Sequence, residues 1–87
     1  MIFRVELARH AEKAFDRLDR TTEKHLRDRL KELSLKPYDL RLSNEVIMKE
    51  GKRYTKVGDW RIIFRVEAAD IVIFVTAIQH RSKAYRK

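Results

Sequence analysis

The spacing of apolar residues changes period twice along this chain, and this constrains the fold more than any other feature. Over residues 2–7 apolar and charged residues alternate, which is typical of a half-buried strand. Over 7–18 and 26–33 apolar residues recur every three or four positions, which predicts two amphipathic helices. After Pro37 the strand period returns. The order of strand, two helices and further strands predicts an α+β fold.

Helix boundaries and turns follow from a few polar, proline and glycine positions. Asp19 and the threonines after it can cap the second helix, and Lys36 before Pro37 ends that helix near Leu35. Residues 38–44 are predicted to form a surface connection. The remaining predicted elements are a short strand at 46–49, strands at 53–57 and 60–66 around a Gly58-Asp59 turn, a reversal at 68–70, and a central strand at 71–78 covered on both faces.

These elements predict a single domain over residues 1–87, with two antiparallel helices on one face of a small, twisted, mainly antiparallel sheet. The other face has no second layer to cover it, and strand 60–66 shows which residues it carries. Period two assigns one set to the core: Trp60, Ile62, Phe64 and Val66. It assigns the other set to the open face: Arg61, Ile63 and Arg65.

Length and charge narrow the function. Eighty-seven residues give one modest core, which excludes large enzymes with several substrates. The chain has 21 Lys and Arg against 13 Asp and Glu, a net charge of +8. Such a charge on a small domain favours a polyanionic partner, because clustered cations release the counterions condensed on phosphates. An acidic protein partner is the competing interpretation.

Several kinds of site are not expected. Without cysteine there is no disulfide, thiolate zinc site or cysteine nucleophile, which fits a reducing compartment. His10, His25 and His80 lack the spacing of metal ligands, and two glycines cannot build a phosphate loop, so no metal or small-molecule cofactor is expected. The sequence also has no apolar run of the roughly 18 residues that a membrane helix needs. We therefore expect a cytoplasmic protein without a membrane partner.

The second half of the chain contains residues suited to a phosphodiester. The candidate catalytic residues are Lys56, Arg61, His80, Arg81 and Tyr85. Arginine grips phosphate through paired hydrogen bonds, and lysine, histidine or tyrosine can transfer protons. RNA carries its own nucleophile, the 2′-OH, so cleavage needs only a base, an acid and cations for the developing charge. Candidate RNA-binding residues lie nearby: Lys52, Arg53, Tyr54, Arg65 and Lys83.

The candidate catalytic residues also have an alternative, purely structural interpretation. Arg61 can pair with Asp59 or Glu67 on the sheet, and Tyr85 can anchor the end of the chain. His80 can be a surface imidazole after the central strand. The charged helix positions, including 27–29 and 31–32, are predicted to be solvated surface.

Two motifs resemble the RelE/ParE superfamily of toxins from prokaryotic toxin–antitoxin pairs. Residues 54–64 read Y-T-K-V-G-D-W-R-I-I-F, and 80–85 read H-R-S-K-A-Y. The resemblance covers essentially the whole chain and implies the fold predicted above. RelE-type members are ribosome-dependent endoribonucleases that cut mRNA in the A site without metal. The resemblance therefore implies an mRNA interferase whose partners are a cognate antitoxin, the ribosome and mRNA.

The resemblance also implies roles for individual residues. Lys56 would be the general base or a charge stabiliser, and Arg61 would bind the scissile phosphate. Arg81 would stabilise the transition state. Tyr85 would stack on a base or assist proton transfer, and His80 would be the acid. All five match the motifs by position in this sequence.

Two features of the sequence leave alternatives to nuclease activity open. RelE toxins carry a second lysine two residues before the first, where this chain has Tyr54; Lys52 is four residues before Lys56. The Gly-Asp-aromatic-Arg hairpin also occurs in ParE toxins, which inhibit DNA gyrase and cleave no RNA. A gyrase inhibitor, or an inactive member that only binds an antitoxin, is therefore the alternative to the nuclease.

Overall fold

Two helices lie between the first strand and the four that follow. The computed structural model describes residues 2–47 and 49–84, with side chains as far as residue 82. The elements are β1 (Arg4–Leu7), α1 (Arg9–Asp16), α2 (Arg20–Leu35), β2 (Asn44–Glu45), β3 (Lys52–Val57), β4 (Trp60–Glu67), β5 (Val72–His80) and α3 (Arg81–Ala84). A 3-10 turn, Ala68–Asp70, joins β4 to β5. The predicted α+β order is confirmed.

The strands form one five-stranded sheet in the order β1-β5-β4-β3-β2. β1 runs parallel to β5, and the other neighbouring pairs are antiparallel, so the sheet is mainly antiparallel as predicted. A parallel pair needs a long crossover, which the two helices provide. Strand β5 is central, with neighbours on both sides, and buries Val72, Ile73, Val75 and Ile78. The prediction that it is covered on both faces is wrong, because Phe74 lies opposite Arg65 on the face that the helices leave uncovered.

Both helices pack on the same face of the sheet. α1 buries Ala11 and Phe15, and α2 buries a seam of three leucines: Leu26, Leu30 and Leu33. These side chains share one core with apolar residues of β4 and β5. The seam recurs every three or four residues, as a helix with one buried face requires. α2 ends at Leu35, as Pro37 predicted.

Strand β4 separates the two faces of the sheet. Ile62 and Phe64 have no exposed surface and belong to the core, while Trp60 and Val66 pack against its edge. Successive side chains alternate across a strand, so the intervening Arg61, Ile63 and Arg65 lie on the face that α1 and α2 leave uncovered. We call this the open face. The predicted division of β4 is confirmed.

A two-residue turn joins β3 to β4. Val57 is paired with Trp60, so Gly58 and Asp59 form the whole loop. Gly58 has φ of 59°, in the left-handed region that a side chain disfavours, and tight hairpins use glycine at this first position. The predicted turn is confirmed.

The strand predicted at 46–49 is wrong. The strand of this region is Asn44–Glu45, which pairs with Arg53 and Tyr54 at the edge of the sheet. Residues 46–47 and 49–51 belong to the connection to β3, closed by a hydrogen bond from the Val46 N–H to the Lys52 carbonyl at 2.9 Å. Met48 of the predicted strand lies outside the described residues. The apolar run misled the prediction because Ile47 is 87% exposed and fills no core position.

A β-bulge interrupts the pairing of β4 with β5. Ile63 lies opposite Ala77 but Phe64 lies opposite Val75, so Thr76 is an extra residue on β5. Its hydroxyl donates to the Ile63 carbonyl at 3.2 Å. The extra residue reverses the alternation of β5, so residues after the bulge occupy the opposite face from the one that strict period two predicts.

No helix among residues 2–47 and 49–84 is both long and apolar enough to span a bilayer.

Neighbouring isoleucines on β4 test the assignment of the two faces. Ile62 is fully buried and Ile63 is on the open face. We expect Ile62→Ala to lower the free energy of unfolding by about 2–5 kcal/mol, since it leaves a cavity in the core. Ile63→Ala should cost clearly less. Urea unfolding measures both changes, and equal losses would contradict the assignment.

The N-terminus of α2 makes stability depend on pH through Asp19. The Thr22 hydroxyl and then the Thr22 N–H donate to its carboxylate, which lowers the pKa of Asp19 below its ordinary 3.8. A pKa that is lower in the folded chain stabilises the fold above the ordinary value, and this contribution is lost as the pH falls through the folded pKa. We expect Asp19→Ala to lower Tm at neutral pH, with a difference that shrinks below about pH 4. Asp19→Asn, which keeps a capping oxygen, should recover part of the loss; thermal melts with a pH-independent difference would refute this account.

Candidate nucleic-acid interface

The open face collects cations from two neighbouring strands. Lys56 on β3 lies directly opposite Arg61 on β4, and Lys52 lies opposite Arg65. The buried Thr55 assigns the alternate residues of β3, including Tyr54, to the same open face. All five residues are among the candidates predicted from the sequence, and the register of β3 and β4 brings them together.

Like charges face each other at close range in this arrangement. Directly opposed residues of an antiparallel pair have Cβ atoms about 4.5–5.5 Å apart, and like charges at that distance destabilise the pair. The Arg61 guanidinium carbon lies 4.7 Å from the centre of the Tyr54 ring, which supplies a favourable cation–π contact. A bound polyanion would relieve the repulsion between Lys56 and Arg61. The geometry therefore suits phosphate binding.

An arginine from the helix layer holds the strand that carries Lys56. Arg29 Nη1 donates to Thr55 Oγ1 at 2.6 Å and to the Lys56 carbonyl at 2.8 Å. Its Nε pairs with Glu32 at 3.2 Å. The prediction that residues 27–29 are solvated surface is wrong for Arg29, whose side chain is only 24% exposed. The available signal was its place beside Leu30, on the edge of the buried helical seam.

The C-terminal motif meets the hairpin turn through Arg81. Its backbone N–H donates to the Asp59 carbonyl at 2.6 Å, and its guanidinium lies 3.7 Å from the Asp59 carboxylate. Both side chains are exposed. Asp59 is two residues before Arg61, so the contact brings Arg81 to the end of the sheet where Lys56 and Arg61 lie.

His80 is not brought to the open face. It lies opposite Trp60, with the ring centres 5.1 Å apart and the rings nearly perpendicular at 83°. Both rings line a groove of about 640 Å³ on the helix side, together with His10, Lys13 and Arg17 of α1. The bulge at Thr76 is the physical reason, since it shifts the alternation of β5 by one residue before His80.

Arg53 is also directed away from the open face. It donates to Ser43 through Nε to Oγ at 3.0 Å and through Nη2 to the carbonyl at 3.1 Å. Its guanidinium carbon lies 5.3 Å from the Tyr38 ring centre. Arg53 thus fastens the connection before β2 to the sheet.

Three candidate residues predicted from the sequence remain: Arg65, Lys83 and Tyr85. Arg65 lies on the open face, 3.3 Å from Glu67, with its guanidinium carbon 5.4 Å from the centre of the Phe74 ring. Phe74 was not among the predicted site residues, because it lies in an almost continuous apolar run. The Lys83 side chain and all of Tyr85 are outside the described residues.

Potential metal ligands are dispersed in the described part of the chain. No three histidine, aspartate or glutamate side chains there are grouped so that they could hold a metal ion. The charged residues of β3 that lie on the open face are Lys52 and Lys56, and those of β4 are Arg61, Arg65 and Glu67.

A comparison with known protein families shows which family this chain belongs to. The profile of one family, described as the ParE toxin of type II toxin–antitoxin systems, parDE, matches residues 5–85. The chain belongs to this family. It is thereby a member of the RelE/ParE superfamily that its motifs indicated, and a toxin of a toxin–antitoxin system. A search of curated protein sequences gave no match.

Solved structures of toxins share the fold. The toxin–antitoxin complex RelBE2 of Mycobacterium tuberculosis contains a chain 17% identical, with a TM-score of 0.81, covering 93% of this chain and 100% of that one. The intact Escherichia coli RelBE complex gives 20% identity, a TM-score of 0.80 and coverages of 92% and 96%. The RelE–RelB complex of Pyrococcus horikoshii OT3 contains a chain 21% identical, with a TM-score of 0.77, covering 95% of this chain and 99% of that one. The predicted RelE-like fold is confirmed.

The position of His80 can be measured through fluorescence, because Trp60 is the only tryptophan. The emission of an indole depends on the groups that touch it, so replacing a ring in contact with Trp60 should change its emission. We expect His80→Gln to change the intensity and the emission maximum of Trp60, because it removes the ring whose centre lies 5.1 Å from that of the indole. His10→Gln is the matched control from the same groove. Unchanged Trp60 emission in His80→Gln, or an equal change in both variants, would contradict the contact.

Proposed function

We propose that residues 1–87 act as one toxin domain that cleaves mRNA in the ribosomal A site without a metal ion. The observation that carries the proposal is the pairing of Lys56 with Arg61 on the open face, with Arg81 at the same end of the sheet. The alternation of β4 gives independent support, because it reserves a charged face opposite the core. The proposed target is in the cytoplasm.

The proposed reaction uses the substrate's own 2′-OH. The 2′-oxygen bonds to phosphorus as a base takes its proton, and the bond from phosphorus to the 5′-oxygen breaks. The 5′-oxygen takes a proton from Tyr85 or from water. This leaves a 2′,3′-cyclic phosphate and a 5′-OH. Arg61 and Arg81 bind the phosphate and stabilise its growing negative charge, which such pre-positioned cations do effectively.

Proton transfer is assigned to fewer residues than the motifs alone suggest. Lys56 acts as the base or as a further charge stabiliser, and Tyr85 assists proton transfer or stacks on a base. His80 contacts Trp60 on the helix side, so we do not assign it the acid. The geometry thus supports a cation-dominated mechanism, with Arg61 and Arg81 as the principal groups.

A cognate antitoxin is the proposed protein partner. The net charge of +8 favours an acidic or disordered segment that folds over the cationic surface. The related chains from Mycobacterium tuberculosis and Escherichia coli were solved as toxin–antitoxin complexes. Bound antitoxin would neutralise the charges that the proposed activity needs.

Inhibition of DNA gyrase is the second candidate function. The observation that favours it is the family match, since the matching profile is that of ParE toxins. A gyrase inhibitor would use the same cationic hairpin as a protein-binding surface, without cleaving RNA. Gyrase supercoiling with and without the protein is therefore measured beside the ribosome assay.

The deciding experiment adds the purified protein to ribosomes programmed with a defined mRNA and maps the new ends. We expect 5′-OH ends within the A-site codon. Arg61→Ala or Arg81→Ala should reduce the cleavage rate about 10²–10³-fold, because each removes a cation from the transition state. Arg41→Ala is the matched control, since Arg41 is exposed and pairs with Asp39 at 2.9 Å in the connection after α2.

The outcomes separate the candidate functions. Free mRNA with EDTA in parallel tests whether cleavage needs the ribosome or a metal. Intact mRNA together with blocked supercoiling would replace the nuclease with the gyrase inhibitor. Intact mRNA together with normal supercoiling would favour the remaining alternative, an inactive family member that only binds an antitoxin. Full cleavage by both arginine variants would refute the assigned site.

A further inference from the structure

The open face carries the same three kinds of residue in two places. In the first row, Lys56 is opposite Arg61, whose guanidinium lies over the Tyr54 ring. In the second row, Lys52 is opposite Arg65, whose guanidinium lies over the Phe74 ring at 5.4 Å. Each row thus combines one lysine, one arginine and one aromatic ring. The proposed cleavage chemistry uses only the first row.

The two rows are too far apart for a single nucleotide. Lys52 and Lys56 are separated by four residues along β3, and Arg61 and Arg65 by four along β4. At about 3.3 Å per residue, four residues span about 13 Å. Stacked nucleotides rise only about 3.4 Å each along a strand. A ligand that fills both rows is therefore a chain of several nucleotides.

Acidic residues mark where this cationic surface ends. Glu67 lies 3.3 Å from Arg65, beyond the second row on β4. Glu6 of β1 is opposite Phe74 and pairs with Arg4 at 3.0 Å. Each of these carboxylates offsets the positive charge of the arginine that it pairs with, so a phosphate chain is attracted less strongly beyond the two rows. Its favoured path therefore follows β3 and β4 and stops before β1.

We propose that the second row is a subsite for single-stranded RNA, holding a nucleotide several positions from the bond cleaved at the first row. This inference rests on the proposed function for the location of cleavage. Unpaired bases stack on aromatic rings and on guanidinium groups, while lysine and arginine hold the adjoining phosphates. A duplex keeps the faces of its bases stacked inside, where they cannot stack on a protein ring, so the subsite selects single strands.

Binding to short RNA without ribosomes tests the subsite directly. The probes are labelled 2′-O-methyl RNAs of three and eight nucleotides, which lack the attacking hydroxyl and stay intact. We expect the octamer to bind more tightly than the trimer. Arg65→Gln should weaken octamer binding about tenfold and lower the slope of log affinity against log salt by about 0.7. Trimer binding should change little.

Three further variants sharpen the test. Glu67→Gln removes the carboxylate beside Arg65. It should therefore tighten octamer binding, which is the opposite of the effect expected for Arg65→Gln. Phe74→Leu should weaken octamer binding. Phe74→Tyr should leave it close to that of the wild type, because tyrosine keeps the stacking ring. Arg41→Gln is the matched arginine control and should leave binding unchanged. Thermal melts of each variant exclude unfolding as the cause.

The outcomes distinguish this inference from the proposed function. Octamer binding that depends on Arg65 and Glu67, with intact mRNA on ribosomes, would refute the nuclease and keep the subsite. Ribosomal cleavage, with Arg65→Gln and Glu67→Gln binding RNA like the wild type, would refute the subsite alone. Failure of the wild type to bind the octamer, equal losses on both RNAs, or tighter binding of an octamer duplex would also overturn it.

Discussion

The rest of the structure depends on a sheet whose apolar side chains are buried against helices on one face only. Ile62 and Phe64 of β4 pack under α1 and α2, and this burial fixes the strand's orientation. A shift by one residue would move the apolar side chains out and the arginines in, at a cost of several kcal/mol for burying unpaired charge. The burial of Ile62 and Phe64 therefore also determines that Arg61 and Arg65 face outward.

Repulsion between like charges on the open face destabilises the folded chain, and other contacts offset part of this effect. Lys56 opposes Arg61 and Lys52 opposes Arg65, so like charges meet at both positions. Cation–π contacts offset part of this repulsion, and Arg29 holds β3 from the opposite side of the sheet through Thr55 and the Lys56 carbonyl. An anionic partner that neutralises the face would stabilise the folded chain by mass action. Binding and stability are thus linked through the same side chains.

Prediction from sequence succeeded where one strong local pattern decided the structure. The end of α2 before Pro37 and the two-residue turn at Gly58 each depend on the conformational limits of proline or glycine. It failed for the strand expected at 46–49, because the described residues 46, 47 and 49 lie in a loop and the real strand, Asn44–Glu45, is only two residues long. It also missed the role of Arg29, because the acceptors of that side chain lie 26 and 27 residues further along the chain.

The sequence by itself determined which side of the sheet carries Arg61 and Arg65, because alternation along one unbroken strand is a local property. Only the tertiary structure decided where His80 lies. Strict alternation of β5 would place His80 with the arginines, but the extra residue Thr76 turns it toward Trp60. A bulge depends on how two strands pair rather than on side-chain spacing within one strand. The contact of Arg81 with Asp59 likewise forms only when the end of β5 lies beside the hairpin turn.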